Sequence, residues 1–278
     1  MDIMWTLSGF ADEISPDLDE QVALVTSLGL RYVELRSAWD VNVLDLDPAQ
    51  LHRARAILDA AGLGVSSIGS PIGKIAITDD NGPHLDRMRH AAEVANFFGA
   101  PNIRMFSYFI PAGDDPDDYR DEVIGRIGDL AAIAADAGVM LIHENEKEIF
   151  GDIPRRCLDI VEAVDSRALS LTWDNANFVQ CGVRPFTEAY PLLAPHVTYL
   201  QVKDALAADG TVVPAGEGDG EFRETMRAFA ARGFDGFVSL EPHLGYGHSL
   251  GGFSGPDNWT RACRAFTAIL DEEGIAYS

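Results

Sequence analysis

Four polar residues end four successive apolar runs: Glu144 in VMLIHEN, Asp174 in LSLTWDN, Gln201 in VTYLQVKD and Glu241 in GFVSLEP. If those runs are neighbouring strands, three carboxylates and one amide meet at one point. Burying charge is costly, so such a cluster needs a counter-charge. A divalent cation with hard oxygen ligands is the economical one. Glu144, Asp174, Gln201 and Glu241 are therefore the candidate metal ligands. Two carboxylates beside a cation suit proton transfer next to a carbonyl. The cation polarises the carbonyl, one carboxylate removes the neighbouring proton and the other returns it. Return to the same carbon epimerises, and return to the adjacent carbon interconverts aldose and ketose. Glu144 and Glu241 are the candidate catalytic pair.

Something must bring those residues together. The chain has 278 residues, 47% of them hydrophobic. That is enough for one barrel of roughly 250 residues with insertions. Eight β-rich runs are expected, near residues 4–10, 31–36, 64–70, 102–107, 139–145, 169–175, 197–203 and 236–242. Helical patterns separate them, as with Cys157, Ile160, Val161 and Val164 on one helical face. Ser15-Pro16, Asp47-Pro48 and Asp257 mark helix starts, and Gly29, Gly62, Gly99, Gly138 and Gly233 suit helix ends. Eight βα units in series predict an α/β fold, a (β/α)8 TIM barrel, with residues 1–278 as a single domain. A doubly wound sheet would carry a glycine-rich nucleotide turn after its first strand, and GxGxxG is absent. Along the strands the end residues share the face of Ser170 and Thr172, or of Ser239, which points them into the barrel.

The formal net charge of -23 argues against a nucleic-acid partner and against anionic membranes. No apolar run approaches the ~20 residues of a membrane span, and no basic region precedes the first short apolar run. A cytoplasmic location is expected. Cys157, Cys181 and Cys263 have no zinc spacing and form no disulfide framework.

The motifs FADEIS, YVELR, SPIGK, GVMLIHEN, WDNANF, YLQVKDA, VPAGEGDG and SLEPHL occur in this order along nearly the whole chain. In these the chain resembles the sugar phosphate isomerase/epimerase family. These are xylose isomerase-like barrels that include ketose 3-epimerases, inosose dehydratases and endonuclease IV-type enzymes. The resemblance implies a metal held by Glu144, Asp174, Gln201 and Glu241, with Mn2+ the expected ion and Mg2+ or Co2+ as alternatives. It implies that both glutamates double as acid and base. Two positions depart from the family pattern: Gln201 stands for the usual strand-seven His, and Asn177 for the His that follows the strand-six Asp. An amide oxygen is a weaker transition-metal ligand than imidazole, and Asn cannot titrate. The expected substrate is a small-molecule sugar or cyclitol other than the usual ketohexoses.

Lys74, Asn177, Lys203 and His243 are the candidate substrate-binding residues. For Lys203 the alternative is an ion pair with Asp204 or Glu217. Glu34, Arg36 and Arg104 are expected to pair among themselves in the barrel mouth, and His143 to face the helix layer. His248 falls in a glycine-rich lid candidate, while His52, His84, His90 and His196 are expected at the surface. Trp5, Phe10, Phe106, Tyr108 and Phe178 are expected to pack, with a sugar-facing wall as the alternative. A lyase or dehydratase on a keto-sugar or inosose would use the same site. A metal-free sugar-binding barrel is the reading from another class, and a homo-oligomer is compatible with all three.

Overall fold

The computed structural model describes residues 4–245, 247–248 and 251–278. Eight strands form one parallel sheet: β1 (Thr6–Gly9), β2 (Tyr32–Leu35), β3 (Gly64–Ile72), β4 (Asn102–Met105), β5 (Met140–Glu144), β6 (Leu169–Asp174), β7 (Val197–Val202) and β8 (Phe237–Leu240). Each strand neighbours the next in sequence, and β8 pairs with β1. A bridge between Phe10 and Glu34 brings β1 against β2. The result is a nearly closed (β/α)8 barrel. All eight expected strands are present, and only β3 runs past its expected end.

The helices are α1 (Leu18–Ser27), α2 (Pro48–Ala61), α3 (Asn81–Phe98), α4 (Arg120–Ala137), α5 (Pro154–Val164), α6 (Asn175–Gln180), α7 (Tyr190–Leu193), α8 (Phe222–Ala231) and α9 (Gly255–Glu273). Side-chain caps start α1, α2, α3 and α6, whereas α9 begins at Gly255, ahead of the expected Asp257 and without a side-chain cap. Asp47 and Gln50 form a reciprocal capping box ahead of α2, with Pro48 in its first turn. On α1 the capping side chain is Asp17, which accepts from Asp19 and Glu20 N–H, two residues beyond the expected Ser15. The five helix-ending glycines all have positive φ. No helix among the described residues is long and apolar enough to cross a membrane.

Among the described residues three short strand pairs were not expected, and they sit in the loops that follow strands. They pair Ser37–Ala38 with Val41–Asn42, Asp204–Ala205 with Val212–Val213, and Gly247–His248 with Gly251–Gly252. Asp204 organises the second: its carboxylate accepts from Ala205, Gly216, Gly218 and Gly220 N–H at 2.9–3.1 Å. A Cβ on Gly218 or Gly220 would sit 2.5 Å from Asp204 Oδ1. The GEGDG run therefore lets backbone close around one carboxylate. The side chain of His248, and the lid role expected of it, lie outside the described residues.

Two layers fix the strand ends. Outside the barrel, Trp173 packs edge-on against Phe178, Phe229 and Tyr190 at 5.2, 5.4 and 6.4 Å. Its indole donates to Asn175 at 3.0 Å. This seats the end of β6 and turns its next residue, Asp174, inward. Inside, below the mouth, the filling is polar: Ser8 meets Ser66 at 2.6 Å, Ser66 meets Tyr199 at 2.9 Å, and Tyr199 donates to Glu34 at 3.0 Å. Burial lifts the Glu34 carboxyl to about 6, against the pull of Arg104.

His84 is not a surface residue. It is 5% exposed at the start of α3, and its Nε2 accepts from Gly73 N–H at 2.8 Å. Burial, helped by Arg87 and Arg126, pushes its pKa down from 6.5 to about 4. The folded state therefore binds fewer protons than the unfolded state between those values, and stability must fall as pH drops through that window. The loss is on the order of 2–3 kcal/mol. Denaturant unfolding at pH 7 and pH 4.5 checks this. Wild type should lose more stability than His84→Gln, whose amide oxygen can still accept from Gly73. Equal losses would contradict the assignment.

Candidate active site

Glu144 and Asp174 are the last residues of β5 and β6, Gln201 is the penultimate residue of β7, and Glu241 directly follows β8. Asp174 and Gln201 are register partners, and Gln201 pairs with Ser239, two residues before Glu241. Inward parity and adjacent strands bring all four together. They are at most 2% exposed. One oxygen from each of Glu144, Asp174 and Glu241 lies within 4.8 Å of the others. Glu144 and Glu241 line a cleft of about 400 Å³ at the barrel mouth, and Asp174 and Gln201 are fully buried beside them.

Backbone and amides hold the carboxylates in place. Asn145 clamps β5 to β6 by accepting from Asp174 N–H and donating to Asp174 carbonyl, both at 3.0 Å. Asp174 Oδ1 accepts from Asn177 N–H at 2.8 Å, capping α6. Asn177 lines the cleft, but its amide donates to Glu144 Oε1 at 3.0 Å and to Asn145 carbonyl at 2.9 Å. Gln201 Nε2 donates to Glu144 Oε2 at 3.2 Å.

The protein's own cations reach these carboxylates. Lys203 Nζ lies 2.8 Å from Asp174 Oδ2 and 2.9 Å from Glu241 Oε2. Arg104 lies 3.2 Å from Glu144 Oε2 and 3.4 Å from Glu241 Oε1. Arg36 adds a contact of 3.4 Å to Glu241, while its Nε is held by Asp12 at 2.7 Å. The neutralisation that sequence reasoning assigned to a metal alone is thus partly internal. The alternative partners for Lys203 are both engaged elsewhere: Asp204 with backbone amides, Glu217 with Arg261 at 3.0 Å. Arg36 and Arg104 pair mainly with Asp12, Glu144 and Glu241 rather than with Glu34.

The two glutamates are pushed in opposite directions. Burial raises Glu144 to about 8, with Arg104 only partly opposing it. Burial would raise Glu241 as well, but Lys203, His243 and Arg104 overcome it and hold that carboxyl well below its usual value. Burial also raises Asp174, against Lys203. Lys203 would be lowered by burial, yet Asp174, Glu241 and Glu144 keep it firmly protonated.

The donor set fits a divalent ion. With Gln201 Nε2 given to Glu144, Gln201 Oε1 is a buried acceptor with no hydrogen-bond partner among the described residues. Three carboxylates and a spare amide oxygen are hard ligands of the Mg2+ and Mn2+ type. The residues that would hold the ion are Glu144, Asp174, Gln201 and Glu241.

The remaining candidates divide. Lys74 lines the cleft, 2.8 Å from Glu146 and 4.1 Å above the Phe106 ring. His243 lines it too, with Nε2 at 3.3 Å from Glu13 and 3.4 Å from Glu241. His143 faces away and is fully buried, with burial holding its pKa near 3. Phe10 and Phe106 stack under Arg104 at 4.8 and 4.9 Å. Sequence reasoning missed Asp12 and Glu13. Glu13 is fully buried, accepting from His243 N–H and Ser254 Oγ at 2.8 Å each. The available signal was their position in FADEIS, just past the end of β1 at the same mouth.

Lys203 is the cation that two buried carboxylates share, and stranding them costs about 3–5 kcal/mol. Lys203→Met should therefore lower the melting temperature of metal-free protein by several degrees, and Mn2+ should narrow the gap to wild type. Calorimetry showing equal melting temperatures without metal would contradict the bridge.

Known proteins place this architecture. A match at 26% identity over 125 residues links the chain to the uncharacterised protein MJ1311 of Methanocaldococcus jannaschii, covering 44% of this chain and 43% of that one. Solved structures match over nearly the full length. A D-tagatose 3-epimerase-like protein superposes with TM-score 0.78 at 16% identity, covering 97% of this chain and 98% of its own. A xylose isomerase-like TIM barrel protein from Mycobacterium smegmatis, in complex with magnesium, gives 0.68 at 21%, covering 96% and 98%. The probable 3-DHS dehydratase AsbF from Bacillus anthracis gives 0.74 at 19%, covering 95% and 99%. At such identities the likeness is one of fold. The model of one family spans residues 22–269, and on that match the chain belongs to the xylose isomerase-like TIM barrel family.

Proposed function

We propose that this chain is a divalent-metal-dependent isomerase or epimerase, working in the cytoplasm on a sugar, a keto-sugar, a cyclitol or a phosphorylated sugar. The single observation that carries this reading is geometric: Glu144, Asp174 and Glu241 bring one oxygen each within 4.8 Å of the others, with the two glutamates lining one cleft. Two acids whose environments separate their proton affinities are suited to be an acid and a base in one reaction. One of the two glutamates, ionised, takes the proton from the carbon next to the carbonyl, and the other returns one. Asn177 and Gln201 orient Glu144 through its two oxygens. Lys203 and Arg104 keep negative charge tolerable in the buried floor. When bound, a divalent ion would polarise the substrate carbonyl and stabilise the negative charge that develops there. Mn2+ is the ion proposed, with Mg2+ or Co2+ able to serve the same oxygen donors. A solved magnesium complex in a related fold supports the choice of a divalent ion.

The test is hydrogen exchange of sugar C–H groups in D2O, followed by NMR with Mn2+ present. Glu144→Gln and Glu241→Gln should each slow exchange by about 10²–10⁴-fold. Full activity in both variants would sink the mechanism. Product composition separates the chemistries: an unchanged formula means isomerase or epimerase, and loss of water means the dehydratase chemistry suggested by the AsbF-like fold. Sugar binding without metal-dependent exchange would favour the metal-free binding barrel.

A further inference from the structure

The chain contains three lysines, Lys74, Lys147 and Lys203, against 44 acidic residues and a net charge of -23. All three line the cleft above the carboxylate floor. Elsewhere the molecule uses arginine for every positive side chain apart from histidine, so lysine is confined to this cleft.

The cationic residues at the cleft have different obligations. Lys203, Arg104 and Arg36 lie deep and are held by Asp174, Glu144, Glu241 and Asp12 at 2.7–3.4 Å. Lys74 stands higher, one-third exposed, and shares Glu146 at 2.8 Å. Lys147 is exposed on the turn after β5 and has no hydrogen bond or ion pair among the described residues. The deep cations are therefore all committed to buried carboxylates, while the rim holds one spare cation and one that an incoming anion could draw from Glu146. On a molecule this acidic an anion is repelled almost everywhere else. A lysine on a flexible four-carbon stem suits a terminal anionic group, which it meets as a point charge.

We propose that the substrate carries an anionic group, a carboxylate or a phosphate, and that Lys147 together with Lys74 binds it at the rim while the sugar carbons reach the floor. This rests on the isomerase reading of the floor and adds the substrate class: sugar acids or sugar phosphates rather than neutral sugars. Lys147 and Lys74 are then specificity-determining residues that touch no reacting atom.

Isothermal calorimetry on Mn2+-loaded protein tests this with inorganic phosphate, acetate and a panel of hexoses, hexonates and hexose phosphates. Anionic probes should bind more tightly than the parent hexoses. Lys147→Met should weaken them about tenfold, the scale of one charge-assisted contact. Lys147→Arg should retain most of the binding, and added salt should weaken anions and not hexoses. Phosphate and hexose phosphates binding ahead of acetate and hexonates identifies a phosphate site, and the reverse order identifies a carboxylate site. The proposal is overturned if no anion binds, if hexoses bind more tightly than both anion classes, or if Lys147→Met leaves anion binding unchanged. Metal-dependent proton exchange on a neutral hexose, equal in wild type and Lys147→Met, would overturn it while leaving the isomerase reading intact. Lys147-dependent anion binding without any exchange would do the opposite.

Discussion

The site depends on how three buried carboxylates share charge. Glu144, Asp174 and Glu241 lie within 4.8 Å of one another, and Lys203 and Arg104 each reach two of them. With all three carboxyls ionised, as ligation of a metal requires, Lys203 and Arg104 alone leave the floor short of positive charge, and Arg36 is already committed to Asp12. That shortage is the charge a bound divalent ion would supply. It also separates the glutamates, because Glu241 touches most of the positive charge and Glu144 less of it. A structural salt-bridge cluster would be fully paired. This one leaves Gln201 Oε1 without a hydrogen-bond partner among the described residues.

The barrel was legible because the α/β repeat is written in short-range chemistry. Buried parallel strands read as continuous apolar runs, and helix boundaries carry Asp, Pro and Gly at positions that satisfy backbone groups. Side-chain parity along β5, β6, β7 and β8 was enough to bring Glu144, Asp174, Gln201 and Glu241 to one floor. The same parity joins Lys203 to Gln201, two residues apart, which is why Lys203 enters the site instead of pairing with its neighbour Asp204.

Other features were illegible for a physical reason: they depend on contacts between residues far apart in the chain. Arg36 reaches Glu241 across 205 positions, and Glu13 accepts from His243 across 230. His84 looks like an exposed helix residue from its local pattern, yet its ring is claimed by the Gly73 amide of the preceding loop. The hairpin after β7 forms because Asp204 gathers amides from up to sixteen residues away, an arrangement that no local propensity encodes. Asn177 lines the cleft as its position suggests, but the hold of its side-chain N–H groups on Glu144 and on the Asn145 carbonyl comes from another strand end.

The central claim is that this shortage of charge is met by one divalent ion held by all four strand-end residues. Titration of Mn2+ into demetallated protein, followed by the loss of the free-ion EPR signal, measures it directly. The account predicts one site per chain in wild type, abolished in Asp174→Ala and weakened in Gln201→Ala. No binding in wild type, or one site that survives Asp174→Ala unchanged, would show that Lys203 and Arg104 already complete the floor and that no metal belongs there.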